Sequence, residues 1–151
     1  MELDDVDRKI LKILQADGRT ALSEIARRLE MGNATIHERV DSLEAAGYIK
    51  EYRAVLDPEL LGIDQVAFIN VRTEPGVFSS VAERLAEEPD IQEIHEVTGE
   101  FDLLLKARLV DRAELTDLLT EIGGSDGVVE TATDVVLRSV KDQQQLNLAD
   151  R

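Results

Sequence analysis

The sequence predicts an α+β protein in two parts, a three-helix unit followed by a β-α-β-β-α-β unit, and three observations carry that prediction. Residues 22–43 hold two short apolar stripes at helical spacing, separated by a break too short for the two helices to lie antiparallel. Residues 65–137 pass twice through the same succession of strand, helix and strand periods. The charge also changes at the junction. Residues 1–56 carry 9 Lys and Arg against 11 Asp and Glu, whereas the remaining 95 carry 8 against 21, which together make the formal net charge of −15.

The first helix is expected from about Asp4 to Ala16, with Val6, Ile10, Ile13 and Leu14 as its apolar stripe. Asp4 suits the N-cap, Asp5 and Asp7 suit the positive end of the helix dipole, and Gly18 stops the run. The second helix keeps Leu22, Ile25, Ala26 and Leu29 on one face, at i, i+3, i+4 and i+7. After the turn Glu30-Met31-Gly32-Asn33, the third helix keeps Ile36, Val40 and Leu43 together and turns Ala34, Thr35, His37, Glu38 and Arg39 elsewhere, until Gly47 ends it. Two steeply crossed helices of this kind form a helix-turn-helix, whose second helix presents its polar start to the DNA major groove. Tyr48 to Leu56 reads as extended and fits the small wing of a winged helix.

Asp57-Pro58 interrupts the chain, because the residue before Pro avoids helix. The first strand-helix-strand copy is then Gln65–Arg72, a helix near Gly76–Glu87, and Ile91–Thr98. The second is Phe101–Leu109, a helix near Arg112–Ile122, and Val128–Leu137. Phe101, Leu103, Leu105, Ala107 and Leu109 alternate with Asp102, Lys106 and Arg108, and Leu104 interrupts the polar face. The order predicts a ferredoxin-like fold, a four-stranded antiparallel sheet with both helices on one side. The uncovered sheet face then calls for a second copy of the chain. The expected boundaries are 1–56 for the helix-turn-helix domain, 57–63 for a linker, 64–140 for the βαββαβ domain and 141–151 for a tail without a clear period.

Composition narrows the classes. Hydrophobic residues at 43% are enough for a folded core, and the absence of cysteine excludes disulfides, thiolate metal sites and cysteine nucleophiles. No apolar run approaches the roughly 20 residues of a membrane span, and Met1-Glu2-Leu3-Asp4-Asp5 lacks the character of a signal peptide, so a cytoplasmic, membrane-free protein is expected. Arg outnumbers Lys by 12 to 5 on this acidic chain, a surface suited to a cytoplasm of molar salt, where the Debye length falls near 3 Å. His37 and His95 fall in different domains, so no paired-histidine metal or acid/base site is expected, and His95 reads as a sheet residue. Glu87-Glu88 and Glu93/Glu96 read as solvated surface rather than catalytic pairs.

Leu3, Asp4, Asp7, Ile10 and Leu11, then Asp17-Gly18-Arg19, then Thr35-Ile36-His37-Glu38-Arg39-Val40 with Leu43-Glu44, Gly47 and Ile49 resemble, in order and spacing, the Lrp/AsnC (feast/famine) transcription regulators. Thr98-Gly99-Glu100-Phe101-Asp102 is similar to that family's Gly-x-aromatic-Asp sensing turn. The resemblance implies a regulator responding through its C-terminal domain to an amino acid or related nitrogen metabolite, with the effector held between dimers. With the salt-suited surface it points to a halophilic archaeon. There are two departures. The turn has Glu30-Met31-Gly32 where Gly-Val-Ser is common, a loss of the Ser cap worth only a few tenths of a kcal/mol. Phe101 stands where Tyr is common and brings no hydroxyl.

The DNA-contacting candidates are Arg19, Arg27, Arg28, Asn33, Ala34, Thr35, His37, Glu38 and Arg39. Thr35 and His37 suit base edges, and Arg19, Arg27 and Arg28 suit phosphates. Arg39 suits guanine or a phosphate, with an ion pair to Glu38, Asp41 or Glu44 as the structural alternative. Effector candidates are Thr98, Gly99, Glu100, Phe101 and Asp102, with Thr131 and Thr133 on the last strand. Asp102 would accept from the ammonium, and the amides near Gly99 would face the carboxylate. No metal, cofactor or catalytic group is expected. The expected partners are a palindromic double-stranded operator, an amino-acid effector and further copies of the chain, as a homodimer building a tetramer or octamer. Two other readings stay open: a haem-pathway decarboxylase-like enzyme, which would need proton donors that this chain largely lacks, and a module for assembly or partner binding.

Overall fold

The computed structural model describes residues 2–148, which form two compact units. One contains the chain up to Val55 and the tail from Lys141, and the other runs from Leu56 to Val140. No helix of the described residues is long and apolar enough to cross a membrane.

In the first unit, α1 spans Asp5–Ala16, α2 Leu22–Arg28 and α3 Asn33–Ala45. Asp4 caps α1 in a reciprocal box: the Asp7 amide donates to Asp4 Oδ1 at 2.8 Å, and the Asp4 amide donates to Asp7 Oδ2 at 3.1 Å. Two orphan donors are thereby satisfied, in the manner of a Ser/Thr–Glu capping box. The apolar stripes meet in a core of Ile10, Leu14, Ile25, Ala26, Ile36, Val40 and Leu43. Ile10, Ile25 and Ile36 are wholly enclosed, and each contributes about 1.5–3 kcal/mol.

Beyond α3 the Tyr52 hydroxyl donates to Glu44 Oε1 at 2.8 Å, fastening the following segment back onto the helix. Burial first, and the Glu44 carboxylate second, push the Tyr52 pKa up to about 12. The segment from Tyr48 to Leu56, expected as the extended small wing, follows α3 without entering a helix. Residues 49–57 pair with no strand. The next residues close a turn, with Asp57 Oδ1 accepting from the Glu59 and Leu60 amides.

The tail is part of this unit. Gln15 at the end of α1 donates through Nε2 to the Leu146 carbonyl at 2.9 Å and accepts the Leu146 amide at 3.1 Å. The side chains of Arg53 and Gln144 also hydrogen-bond.

The second unit contains β1 Gln65–Thr73, α4 Phe78–Leu85, β2 Ile91–Glu96, β3 Leu103–Leu109, α5 Arg112–Gly124 and β4 Val128–Val135. The sheet order is β2-β3-β1-β4, with every neighbouring pair antiparallel. This is the topology the element order predicts. Val81 and Leu85 of α4 and Leu115, Leu118 and Ile122 of α5 share one core with Ala67, Ile69, Val71, Leu103, Leu105 and Ala107, so both helices cover the same sheet face. Asp111 starts α5 by accepting from the Ala113 and Glu114 amides. The helix near Gly76 begins later than expected, at Phe78, because Gly76 adopts φ +83° outside the helical region.

Candidate functional site

The turn between α2 and α3 is built by backbone geometry. Past the C-cap Leu29, Glu30 takes the left-handed conformation at φ +54°. The Met31 amide reaches back to the Ala26 carbonyl at 2.9 Å and the Glu30 amide to that of Arg27 at 3.3 Å. This is a Schellman closure, with Met31 packed on the core as its apolar contact. The same closure follows α3, where Gly47 at φ +78° holds the left-handed place and the Tyr48 amide reaches the Leu43 carbonyl. Glycine adopts that conformation freely, but Glu30 does so at a cost of about 1–2 kcal/mol. Gly32 is the N-cap of α3 and supplies no side-chain acceptor. Asn33, expected in the turn, is instead the first helical residue.

From that start Ala34, Thr35, His37 and Glu38 are exposed along α3, while Ile36 and Val40 are buried beneath them. The three candidate arginines of α2 and α3 all have internal partners. Arg27 donates from Nη2 and Nε to Glu24 at 2.6 and 2.9 Å, and Arg28 donates from Nε to the same carboxylate at 2.8 Å. These bonds hold the Glu24 carboxyl down to about 2.

Arg39 pairs with neither Glu38, Asp41 nor Glu44. Its Nη1 lies 2.7 Å from Asp4 Oδ2 and 2.7 Å from Asp7 Oδ1, two residues of α1's capping box. Glu38 and Asp41 are one and two positions away on the helix and face other directions, whereas Arg39 borders the core stripe and points to α1. The Asp7 and Asp4 hydrogen bonds hold the Arg39 pKa above the usual arginine value. The Asp7 amide and then Arg39 hold Asp4 below the usual carboxylate range. Arg19 is exposed before α2, its side chain without a partner among the described residues, while its amide donates to Asp17 Oδ1.

In the second unit Gly99 sits at φ +133°, where a side chain would be strained, and Thr98, Gly99 and Glu100 are exposed. Asp102 does not present a free carboxylate. Its Oδ2 accepts from the Thr73 amide at 2.7 Å and the Thr73 hydroxyl at 3.1 Å, tying the start of β3 to the end of β1. The guanidinium of Arg72 lies 5.3 Å from the Phe101 ring centroid and contacts Glu100 at 3.1 Å and Glu130 at 3.3 Å. The Glu130 contact is poorly aligned, leaving Nε without a hydrogen bond.

Thr131 and Thr133 are half-buried opposite Val71 and Ile69, hence on the helix-covered face, whereas Glu130 shares the open face with Arg72. The fold therefore brings Glu100, Phe101 and Asp102 together with Arg72, Thr73 and Glu130, three residues that local spacing does not nominate. The pairing of β1 with both β3 and β4 is the signal that would have found them.

Glu93 and Glu96 are not simply solvated. Glu93 contacts His95 and, across the strands, Lys106, both at 3.2 Å, and its pKa is lowered by His95 first and Lys106 second. Glu96 accepts from the Ser79 hydroxyl at 2.9 Å. His95 lies on β2, as the sequence predicts. No group of three or more metal-ligating side chains occurs among the described residues.

Comparison with known proteins finds matches to both parts of the chain. A profile described as winged helix-turn-helix DNA-binding matches residues 3–50, and one described as the Lrp/AsnC ligand binding domain matches residues 66–146. The chain is 42% identical over 144 residues to the HTH-type transcriptional regulator FL11 of Pyrococcus horikoshii, covering 95% of each protein. It is 36% identical over 154 residues to the leucine-responsive regulatory protein of Klebsiella pneumoniae, covering 99% of this chain and 94% of that one. Among solved structures, the transcriptional regulator NMB0573/L-Met complex from Neisseria meningitidis superposes with a TM-score of 0.93 at 29% identity over 97% of both chains. Escherichia coli AsnC does so with 0.91 at 27% identity, over 96% of this chain and 99% of that one. With its DNA-binding helices and its βαββαβ domain both matched along nearly the whole length, the chain belongs to the Lrp/AsnC family of DNA-binding transcription regulators.

Proposed function

We propose that this regulator binds a palindromic operator through the exposed start of α3 and adjusts its assembly when an amino acid occupies the Gly99 turn. The observation that carries the first part is the run Asn33, Ala34, Thr35, His37 and Glu38, exposed on a helix whose other side is fixed in the core. Thr35 and His37 offer hydrogen bonds to base edges, Glu38 suits a cytosine amino group, and the small Ala34 admits close approach. Arg19 meets phosphate directly, whereas Arg27 and Arg28 do so by giving up Glu24 for a phosphate oxygen. Homodimers put two such helices about one helical turn, roughly 34 Å, apart on one face of the duplex, and a tetramer or octamer adds avidity.

For the effector, the exposed backbone of Thr98, Gly99 and Glu100 supplies amides for a carboxylate, with Phe101 beside them. Asp102 retains Oδ1 as an acceptor while Oδ2 is held by Thr73. Support comes from the similar structure crystallised as an L-Met complex. Thr131 and Thr133 face the helices of their own unit, so the effector reading rests on the turn and not on them.

We further assign the protein to a salt-rich cytoplasm. A formal net charge of −15 with 12 Arg against 5 Lys supports that reading, since dense counter-ions would screen the mutual repulsion of the carboxylates. Footprinting on duplexes selected by the chain from a random library tests the operator reading, since Thr35→Ala and His37→Ala should each alter base preference. Footprints identical to wild type in both would defeat it. Isothermal titration with each standard amino acid tests the second part, and heat from none of them would exclude an amino-acid effector. Equal folding in dilute buffer and molar KCl, followed by circular dichroism, would remove the salt assignment.

A further inference from the structure

We propose that Asp4 and Asp7 are positioning residues of the DNA-reading surface, acting through Arg39 to set the rotation of α3. The four carboxylate oxygens are all engaged. Asp4 Oδ1 and Asp7 Oδ2 accept the two capping-box amides, and the remaining Asp4 Oδ2 and Asp7 Oδ1 share the single nitrogen Nη1 of Arg39. The result is a closed ring joining the first turn of α1 to the middle of α3, residues 32 and 35 positions apart in the chain.

The ring supplies a constraint that the core does not. Ile36, Val40 and Leu43 hold α3 by a narrow apolar stripe, and contacts of that kind are non-directional. They oppose withdrawal of the helix more than rotation about its axis. Arg39 borders that stripe, and Thr35 lies one turn before it on the same flank. Two short charge-assisted bonds to the N-cap and N3 carboxylates at the first turn of α1 therefore fix the angle at which Thr35 and His37 meet the groove. Asp7 is 8% exposed and Arg39 29%, so the pair is shielded from screening far better than a surface ion pair. Arg39 has both acceptors within the chain, so its contribution to DNA recognition runs through orientation rather than through a phosphate.

The sign of a charge removal separates the two roles. Taking a negative charge from a DNA-binding unit should strengthen binding if only long-range electrostatics mattered. The positioning role predicts the opposite. Asp4→Asn is the cleanest variant, because Asn serves as an N-cap as well as Asp and the residue is half exposed. Binding of the full-length chain is measured by fluorescence anisotropy on a duplex selected by the wild type, and on a mixed-sequence duplex, across a series of KCl concentrations.

We expect Asp4→Asn and Asp7→Asn to weaken binding to the selected duplex by about tenfold or more, with mixed-sequence binding and the salt slope unchanged. Arg39→Met should do the same, and combining it with Asp4→Asn should add little, as for residues acting in one unit. If Arg39→Met is too unstable to assay, Asp4→Asn still decides the matter. Selected-duplex binding by Asp4→Asn equal to or tighter than wild type would overturn the proposal. So would a salt slope flattened by about 0.9 in Arg39→Met, the mark of one lost phosphate contact.

Discussion

Two arrangements of arginine in the DNA-binding unit look alike in a list of ion pairs and differ in what they hold. Arg27 and Arg28 share Glu24, a neighbour three and four positions back on the same helix, and both are more than half exposed. Arg39 reaches across 32 and 35 positions to two carboxylates on another helix, one of them buried. The first set forms whenever α2 forms, adds little to the fold, and can be traded for another anion. The second exists only when α1 and α3 are docked, so it belongs to the tertiary structure. An arginine's availability to DNA thus depends less on its exposure than on where its partner comes from.

The strongest way to break this distinction is Asp7→Ala. It removes one end of the capping box and leaves Arg39 with Asp4 alone, so urea unfolding should register a loss of about 1.5–3 kcal/mol, the range for hydrogen bonds to charged groups. A change under about 0.5 kcal/mol would reduce the Arg39 pair to the standing of the Glu24 pairs. A parallel case in the second unit sharpens it. Asp102→Ala leaves the buried Thr73 amide without its acceptor and should cost about 1–3 kcal/mol in ligand-free thermal unfolding. A stability equal to wild type would return Asp102 wholly to a ligand role.

Glu24→Gln is the converse test. Stability should hold, while freed Arg27 and Arg28 should raise affinity for mixed-sequence DNA severalfold at low salt and steepen the salt slope by up to about 0.9 for each arginine. Its pH dependence is also fixed in sign. A carboxyl held down to about 2 against an ordinary 4.5 keeps its pairing in full above about 4.5 and loses it as the pH falls through about 2, so the solvent-screened Glu24 pairs, which add little to stability, should persist in the wild type at pH 5. The smallest effects belong to the two Schellman closures: Gly47→Ala should cost about 1 kcal/mol, and Glu30→Gly should gain about 0.5 kcal/mol.

Periodicity reveals most of the architecture, because the stripe Ile36, Val40, Leu43 and the alternation Leu103, Leu105, Ala107 are local properties of the chain. The N-cap Asp4 and the turn at Gly47 are equally local. Partners that depend on docking are not. Nothing near Arg39 points to Asp4 and Asp7, so its neighbours Glu38, Asp41 and Glu44 are the natural but mistaken choices. Asp102 looks like a free acceptor until the β1–β3 pairing brings Thr73 to it. Thr131 and Thr133 are sound chemical candidates, yet the pairing of β4 with β1 decides which sheet face they occupy. Arg72, with Phe101 beneath it and Glu100 and Glu130 beside it, becomes visible only when the register is known.

The bonds between Gln15 and Leu146 make the βαββαβ unit a topological insertion: the chain leaves the DNA-binding unit near Val55 and returns to it at Lys141. An exchange of sensing modules between such regulators therefore requires two compatible junctions, not one. A chimera cut only near residue 56 would carry a foreign tail against α1, and a natural recombination there would keep its DNA-binding unit intact only if position 15 and the incoming tail still recognised each other.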